Sequence, residues 1–210
     1  DRAVANIFAA KGRPKFNPLI VHVASINAAK DIAKFSPAAE KLAEKFWPGA
    51  LTLILEQKDD CPISPLVSSG LTSIAVRIPS HPIAQEFLKT VLNPIAAPSA
   101  NRSGRVSPTN IDHVLKAWPN RKKLGPNIII DGGPCGIGLE STVIDLTSEQ
   151  ITLLRPGGIT LESLEFEVDT ISFPSTLTTS PKSPGMLTKH YAPKTPVKMN
   201  ASGPEVNGAF

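Results

Sequence analysis

Two hydrophobic periods alternate along the chain. In residues 1–10, Val4, Ile7 and Phe8 fall on one face, a spacing that predicts a helix, and Gly12 and Pro14 end it. Residues 19–23 are a short apolar run rich in β-branched side chains and read as a buried strand. Residues 27–35 and 38–46 read as two short helices, the second broken by Trp47-Pro48-Gly49. Strands follow at 51–55 and 73–78. In the latter, period-two alternation sends Ile74, Val76 and Ile78 to the core and leaves Ser73, Ala75 and Arg77 on the other face. Residues 82–91 form an amphipathic helical pattern with Ile83, Phe87 and Val91 in step. A short buried strand is expected at 94–97, and Thr109 is placed to cap a helix reaching Ala117. Strands at 128–130, 142–146 and 151–154 complete the pattern, the last two flanking 147–150 as a hairpin.

Helices alternating with strands early, then hairpin-like strands late, predict an α/β domain on a mixed sheet. No internal repeat is visible. The length, 210 residues, and a hydrophobic fraction of 41% allow one full domain with a sizeable core plus a tail. No apolar run approaches the roughly 18 residues that suggest a membrane span. No charged leader with an apolar stretch precedes the first helix, so no signal peptide is expected. Cys61 and Cys135 lack CxxC spacing and read as reduced thiols, which suits a cytoplasmic protein. The net charge of +4 fits a protein that handles nucleotides, phosphates or RNA. Beyond about residue 170 the composition turns rich in Ser, Thr and Pro, as in an extended linker.

Five segments carry candidate chemistry. Lys11-Gly12-Arg13-Pro14-Lys15-Phe16-Asn17-Pro18-Leu19 puts three cations on a loop that could aim at a polyphosphate, though a solvated basic loop has the same composition. His22 follows in a strand, where a structural histidine is common. Arg77, opposite an apolar strand face, suits a carboxylate, and a surface ion pair suits it equally. Ala96-Ala97-Pro98-Ser99-Ala100-Asn101-Arg102-Ser103-Gly104, extending to Ser107, follows a strand and is expected at the carboxyl end of the sheet, where ligands gather. It is neither a Walker A loop nor a nucleophile elbow. Gly132 to Val143 is rich in glycine but lacks the third glycine of a dinucleotide fingerprint, and Cys135 has no matched base to make it a nucleophile. Arg155 ends a strand just before Pro156-Gly157-Gly158.

In this order, KGRPxxNPL, SIAVRIP, APSANxSG, the GLESTV segment and LRPG resemble the YrdC-like threonylcarbamoyl-AMP synthases over about residues 1–165. Pro184-Gly185-Met186 through His190-Tyr191-Ala192-Pro193 resembles the interdomain linker of that family's two-domain branch. The resemblance implies a YrdC-like α/β fold, a twisted mixed parallel/antiparallel sheet with flanking helices. It implies a catalytic domain at 1–170, incomplete at its N-terminus because the family's threonine-contacting PTET-type segment would precede residue 1. A linker at 171–195 and the start of a truncated C-terminal domain or tail at 196–210 would follow. The implied activity joins L-threonine, bicarbonate and ATP into threonylcarbamoyl-AMP and pyrophosphate, for modification of an adenosine in tRNA. Mg²⁺ would be carried on the ATP phosphates, with no protein-built metal cage. Lys11 and Arg13 would be catalytic. Arg13, Asn17, Ser73, Ser99, Asn101, Ser107, Arg155 and Tyr191 would bind ATP, with Tyr191 closing over the nucleotide. His22, Arg77, Ala97 and Ser141 would hold threonine. The product would pass to the tRNA threonylcarbamoyl-transfer machinery.

Two other readings share these residues. One is a carbamoyl-adenylate-forming domain of the hydrogenase-maturation type, which would use carbamoyl phosphate. The other is a non-catalytic module that binds double-stranded RNA through a basic surface.

Overall fold

A computed structural model describes residues 1–174. The elements in chain order are α1 (Arg2–Lys11), β1 (Ile20–His22), α2 (Ile26–Lys30), α3 (Pro37–Phe46), β2 (Leu51–Glu56), β3 (Ser73–Arg77), α4 (Pro82–Val91), β4 (Ile95–Ala96), α5 (Ile111–Ala117), β5 (Thr142–Asp145), β6 (Thr152–Arg155) and α6 (Leu161–Glu165). The strands form one six-stranded sheet in the order β4-β1-β3-β2-β5-β6. β1 runs parallel to β3 and β2 parallel to β5, while β1–β4, β2–β3 and β5–β6 are antiparallel. The mixed α/β sheet expected from the sequence is therefore the observed one.

The two faces differ. The main core packs Leu53, Ile74, Val76 and Ile144 of the sheet against Phe8 of α1, Ala29 of α2, Leu42 of α3 and Leu164 of α6. Each fully buried Leu or Ile there contributes roughly 1.5–3 kcal/mol relative to exposure. On the opposite face Ile20, Ile54, Ala75 and Val143 form a small second cluster. β2 is central and buried along residues 51–55, including its Thr52. The alternation read in β3 holds, since Ile74, Val76 and Ile78 lie in the main core.

Several elements depart from expectation. Residues 128–130 form no strand. This three-residue run lies between Pro126 and Asp131-Gly132-Gly133, pairs with nothing, and leaves Ile128 82% exposed. Asn110, not Thr109, caps α5, its Oδ1 accepting from the His113 amide at 3.0 Å, while the Thr109 hydroxyl meets the His113 ring. α2 is a single five-residue turn capped by Ser25. α6 was not legible because its apolar pattern spans only five residues, yet its Leu164 is fully buried. The segment after β4 does not lie at the carboxyl end of a parallel sheet. β4 is antiparallel to β1, so Ala97 returns to the amino end of β1 and donates its N–H to the Ile20 carbonyl at 3.0 Å.

Candidate functional site

The cleft that results lies over the second face of the sheet rather than at its edge. Ile20 and His22 of β1 and Arg77 of β3 point into it. Ala97, Pro98 and Ser99 close one side, Glu140, Ser141 and Arg155 the other, and Arg13 enters from the loop after α1. The inner cavity is about 240 Å³. It adjoins an outer cavity of about 530 Å³, bounded by Ser107 to Ile111 and by Ile129 to Glu140. The two share Arg77, Ser99 and Glu140 as common wall.

Local chain geometry delivers each cation. α1 stops at Gly12, whose φ of 62° is left-handed, and the amides of Gly12 and Arg13 cap the Ala9 and Phe8 carbonyls. This reverses the chain and turns Arg13 inward. Arg13 Nε donates to the Asn17 carbonyl at 2.9 Å, and Nη2 donates to Asn17 Oδ1 and to the Pro18 carbonyl at 2.7 Å each. Asn17 is buried and serves as the holder of Arg13. Arg77 Nε donates to the Gly49 carbonyl at 2.9 Å, which fixes the guanidinium and leaves its Nη groups for a ligand.

Arg155 is the most constrained. Its Nε and Nη2 donate to the Ser141 carbonyl at 3.0 and 2.8 Å, Nη2 also reaches Ser141 Oγ at 3.0 Å, and Nη1 pairs with Glu140 Oε2 at 2.5 Å. The other Glu140 oxygen accepts from Ser107 Oγ at 2.6 Å. Ser141 Oγ is 2.7 Å from Thr52 Oγ1 in the fully buried part of β2. Gly157 makes this arrangement possible, because a Cβ there would stand 2.4 Å from the Glu140 carbonyl and 2.5 Å from the Thr142 amide.

Lys11 takes a different place from Arg13. It is buried and lines neither cavity. Its ammonium donates to the Ser99 carbonyl at 2.5 Å, to the Asn101 carbonyl, and to Asn101 Oδ1 at 3.3 Å. Ser99 Oγ donates to Asn101 Oδ1 at 2.7 Å, and Asn101 Nδ2 donates to the Arg105 carbonyl at 2.5 Å. Lys11 and Asn101 thus hold the 98–105 loop from within.

Three guanidiniums and one carboxylate line the inner cavity. Burial lowers the Arg13 pKa to about 10, with Arg155 adding to the shift and Glu140 opposing it. Burial and then Arg155 lower Arg77 as well. Burial, then Arg13, bring Lys11 down to about 8. His22 is pushed down to about 4 by burial first and Arg77 second, so it is neutral at pH 7. The carbonyls of Ile95 and Ile20 oppose that shift weakly, and neither satisfies the buried Nδ1, which has no hydrogen-bond partner. The cleft therefore holds cations at a cost that an anion bound there would relieve. Among the described residues no group of three or more His, Cys, Asp or Glu side chains could hold a metal ion.

Of the residues singled out in the sequence, Arg13, His22, Arg77, Ala97, Ser99, Ser141 and Arg155 meet in the inner cavity, and Ser107 lines the outer one. Lys11, Asn17 and Asn101 stand behind them. Ser73 lines neither cavity. It is four residues from Arg77 on β3, about 13 Å at strand rise, and the β1–β3 register carried back two residues sets it level with Pro18, on the side where Arg13 enters. Tyr191 lies outside the described residues. Glu140 was missed, although a carboxylate directly before Ser141 in a segment facing several cations signals a counter-charge.

Residues 1–157 match the Sua5, YciO and YrdC family model described as "Telomere recombination". Residues 159–208 match the model described as "Threonylcarbamoyl-AMP synthase, C-terminal domain". The chain is 46% identical over 209 residues to a threonylcarbamoyl-AMP synthase of Bacillus subtilis, covering 97% of this chain and 58% of that protein. It is 45% identical over 202 residues to one of Pyrococcus abyssi, covering 94% and 58%. The solved structure of P. abyssi Sua5 complexed with L-threonine superposes with a TM-score of 0.85 at 45% identity, over 92% of this chain and 56% of that one. The chain thus spans a little under three fifths of the length of these relatives.

Proposed function

Because the chain belongs to the Sua5, YciO and YrdC family, we propose that it supplies the substrate cleft of a threonylcarbamoyl-AMP synthase, a nucleotidyltransferase that uses ATP, L-threonine and bicarbonate. The observation that carries this reading is the convergence of Arg13, Arg77 and Arg155 on one small cavity with a single carboxylate, Glu140, and a neutral His22. That balance suits a ligand set rich in negative charge.

In this reading the inner cavity takes threonine. Arg77 offers a two-pronged donor to its carboxylate, and His22, Ser141 and the backbone at Ala97 surround its small polar side chain. The amine condenses with bicarbonate, the N–C bond forming as a C–O bond breaks and water leaves, and the resulting carbamate presents an oxygen to the α-phosphorus of ATP. The new P–O bond forms as the bond to pyrophosphate breaks. Arg13 and Arg155 neutralise charge on the phosphates, and Ser99, with Ser107 of the outer cavity, orients the nucleotide. Asn17, Asn101 and Lys11 act by fixing Arg13 and Ser99, and Ser73 stands on the Arg13 side. Mg²⁺ carried on the ATP phosphates would supply further charge neutralisation there. Tyr191 would cover the nucleotide, in a segment (171–195) that links domain 1–170 to a further C-terminal unit. The product then passes to the machinery that transfers the threonylcarbamoyl group to tRNA. A reducing, cytoplasmic setting suits the free thiols of Cys61 and Cys135.

The test is pyrophosphate release by the intact protein with ATP, Mg²⁺ and bicarbonate, with and without L-threonine. Threonine-dependent release, lost in folded Arg13→Ala and Ser99→Ala variants, supports the synthase. Release that depends on carbamoyl phosphate instead would assign the cleft to the hydrogenase-maturation type.

A direct RNA contact is a second reading, favoured by charge. Between residues 102 and 123 the chain carries Arg102, Arg105, Lys116, Arg121, Lys122 and Lys123 against Asp112 alone. Salt-dependent binding of tRNA, reduced by Arg121→Gln and Lys122→Gln together, would support it.

A further inference from the structure

The loop that carries Ser99 is exposed at Ser99 and Ala100 and has no regular secondary structure. Holding such residues in one conformation costs backbone entropy. Lys11 meets part of that cost from the α1 side. The other side is held by a residue outside both cavities. Trp118, at the C-terminal end of α5, is 5% exposed, and its indole Nε1–H donates to the Ala100 carbonyl at 2.7 Å. The bond joins residues on either side of the whole 101–117 segment.

The indole is itself held on two sides. The Arg102 guanidinium lies over the ring, 5.5 Å from its centroid. Gly125 packs so close that a Cβ there would be 2.9 Å from Cε3 of the ring. α5 has no buried residue of its own, so Trp118 is what ties this helix inward. The Nε1–H therefore points from a fixed ring at the one loop carbonyl between Ser99 and Asn101.

We propose that Trp118 is a positioning residue for the nucleotide site, its indole N–H clasping the Ala100 carbonyl so that Ser99 meets the ligand in a fixed geometry. This rests on the nucleotide reading of the cleft. The ring's packing and the N–H's grip are separable. Trp118→Phe removes the donor and keeps an aromatic ring near Arg102, and any packing lost with the smaller ring near Gly125 would show as faster exchange beyond 98–105.

The experiment uses the intact protein and its Trp118→Phe variant. Hydrogen–deuterium exchange is followed in peptides covering 98–105, and Mg·ATP binding is measured by titration calorimetry without threonine. The expected result is several-fold faster exchange confined to 98–105 and an approximately five- to tenfold weaker Kd for Mg·ATP, with L-threonine affinity unchanged. That fold-change matches the loss of one hydrogen bond. Unchanged exchange in the loop overturns the clasp. Faster exchange with unchanged Mg·ATP affinity overturns the positioning role, as does a parallel loss of threonine affinity with loosening across the sheet. If Trp118→Phe does not fold, the indole N–H signal of the wild type decides, since it must shift on titration with Mg·ATP and an unmoved signal overturns the proposal. A wild type that binds no Mg·ATP overturns the nucleotide reading instead, while loop exchange in the variant still decides the clasp.

Discussion

Glu140 and Arg155 meet at 2.5 Å with side chains 19% and 7% exposed, and the pair forms one wall of the cleft. The carboxylate sits between Arg155 Nη1 and the Ser107 hydroxyl, and so joins the strand-end segment at 140–141 to the loop at 107. Glu140→Gln removes the charge and keeps the shape. It withdraws the carboxylate charge from Arg155 among other cations, an outcome that costs about 3 kcal/mol or more for a deeply buried pair. With Glu140 partly open to the cleft, a loss of about 1–3 kcal/mol is expected. Urea denaturation of wild type and variant measures it, and a change below about 0.5 kcal/mol would show that the pair is a bystander.

Gly157 tests the same wall without touching charge. A methyl group there would overlap the backbone of Glu140, Ser141 and Thr142, which cannot retreat because Thr142 is paired to Leu51 in β2 and β5. Gly157→Ala is expected to destabilise the fold by about 2 kcal/mol or more and to abolish threonine-dependent pyrophosphate release. Near-wild-type turnover in a folded Gly157→Ala protein would contradict the idea that the Ser141 carbonyl and hydroxyl hold Arg155 in its working position.

How far the sequence foretold this arrangement differs between fold and site. β3 was legible because its alternation, Ile74 and Val76 against Ala75 and Arg77, matches two faces with different neighbours. β5 and β6 were legible as a hairpin, and they pair antiparallel. The 128–130 run misled because apolar β-branched residues favour strands only where a partner strand exists. Ile129 and Ile130 line the outer cavity instead. The location of the cleft was misjudged because strand direction in β4 cannot be read from a two-residue apolar segment, and direction decides which end of the sheet the loop meets. Glu140 and Trp118 act through long-range contacts, across 15 and 18 residues of chain, that no local pattern announces.

Lys11 separates two roles that its place beside Arg13 in sequence conceals. A lysine aimed at phosphate would stand in the cavity, whereas this one is buried against the carbonyls of Ser99 and Asn101. Lys11→Met fills a similar volume but leaves those oxygens short of a donor, at about 1–3 kcal/mol. The expected signature is faster exchange in 98–105 together with a raised KM for ATP. A large fall in kcat with unaltered loop exchange would instead argue that the ammonium itself reaches the reacting phosphate.

His22 gives the cleft a pH dependence with a definite sign. In the unfolded chain its pKa is about 6.5, and in the fold burial and the neighbouring Arg77 bring it down to about 4. The unfolded chain therefore binds the proton first. Stability contributed by the neutral ring is fully present above about pH 6.5 and falls away as pH drops toward 4, by up to about 3 kcal/mol. Arg77 cannot relieve this, because it remains charged throughout the range and a second cation beside it is repelled. Denaturation measured between pH 7 and pH 4.5 should show this fall, and His22→Gln should remove that part of the slope while keeping a polar group in the cleft. A threonine carboxylate bound to Arg77 is expected to weaken the dependence, since it offsets the repulsion that helps to hold the folded-state pKa down. A His22 ring that titrates near pH 6.5 in the folded protein by NMR would mean that the ring is solvated, and that its orphaned nitrogen is not held in reserve for the substrate.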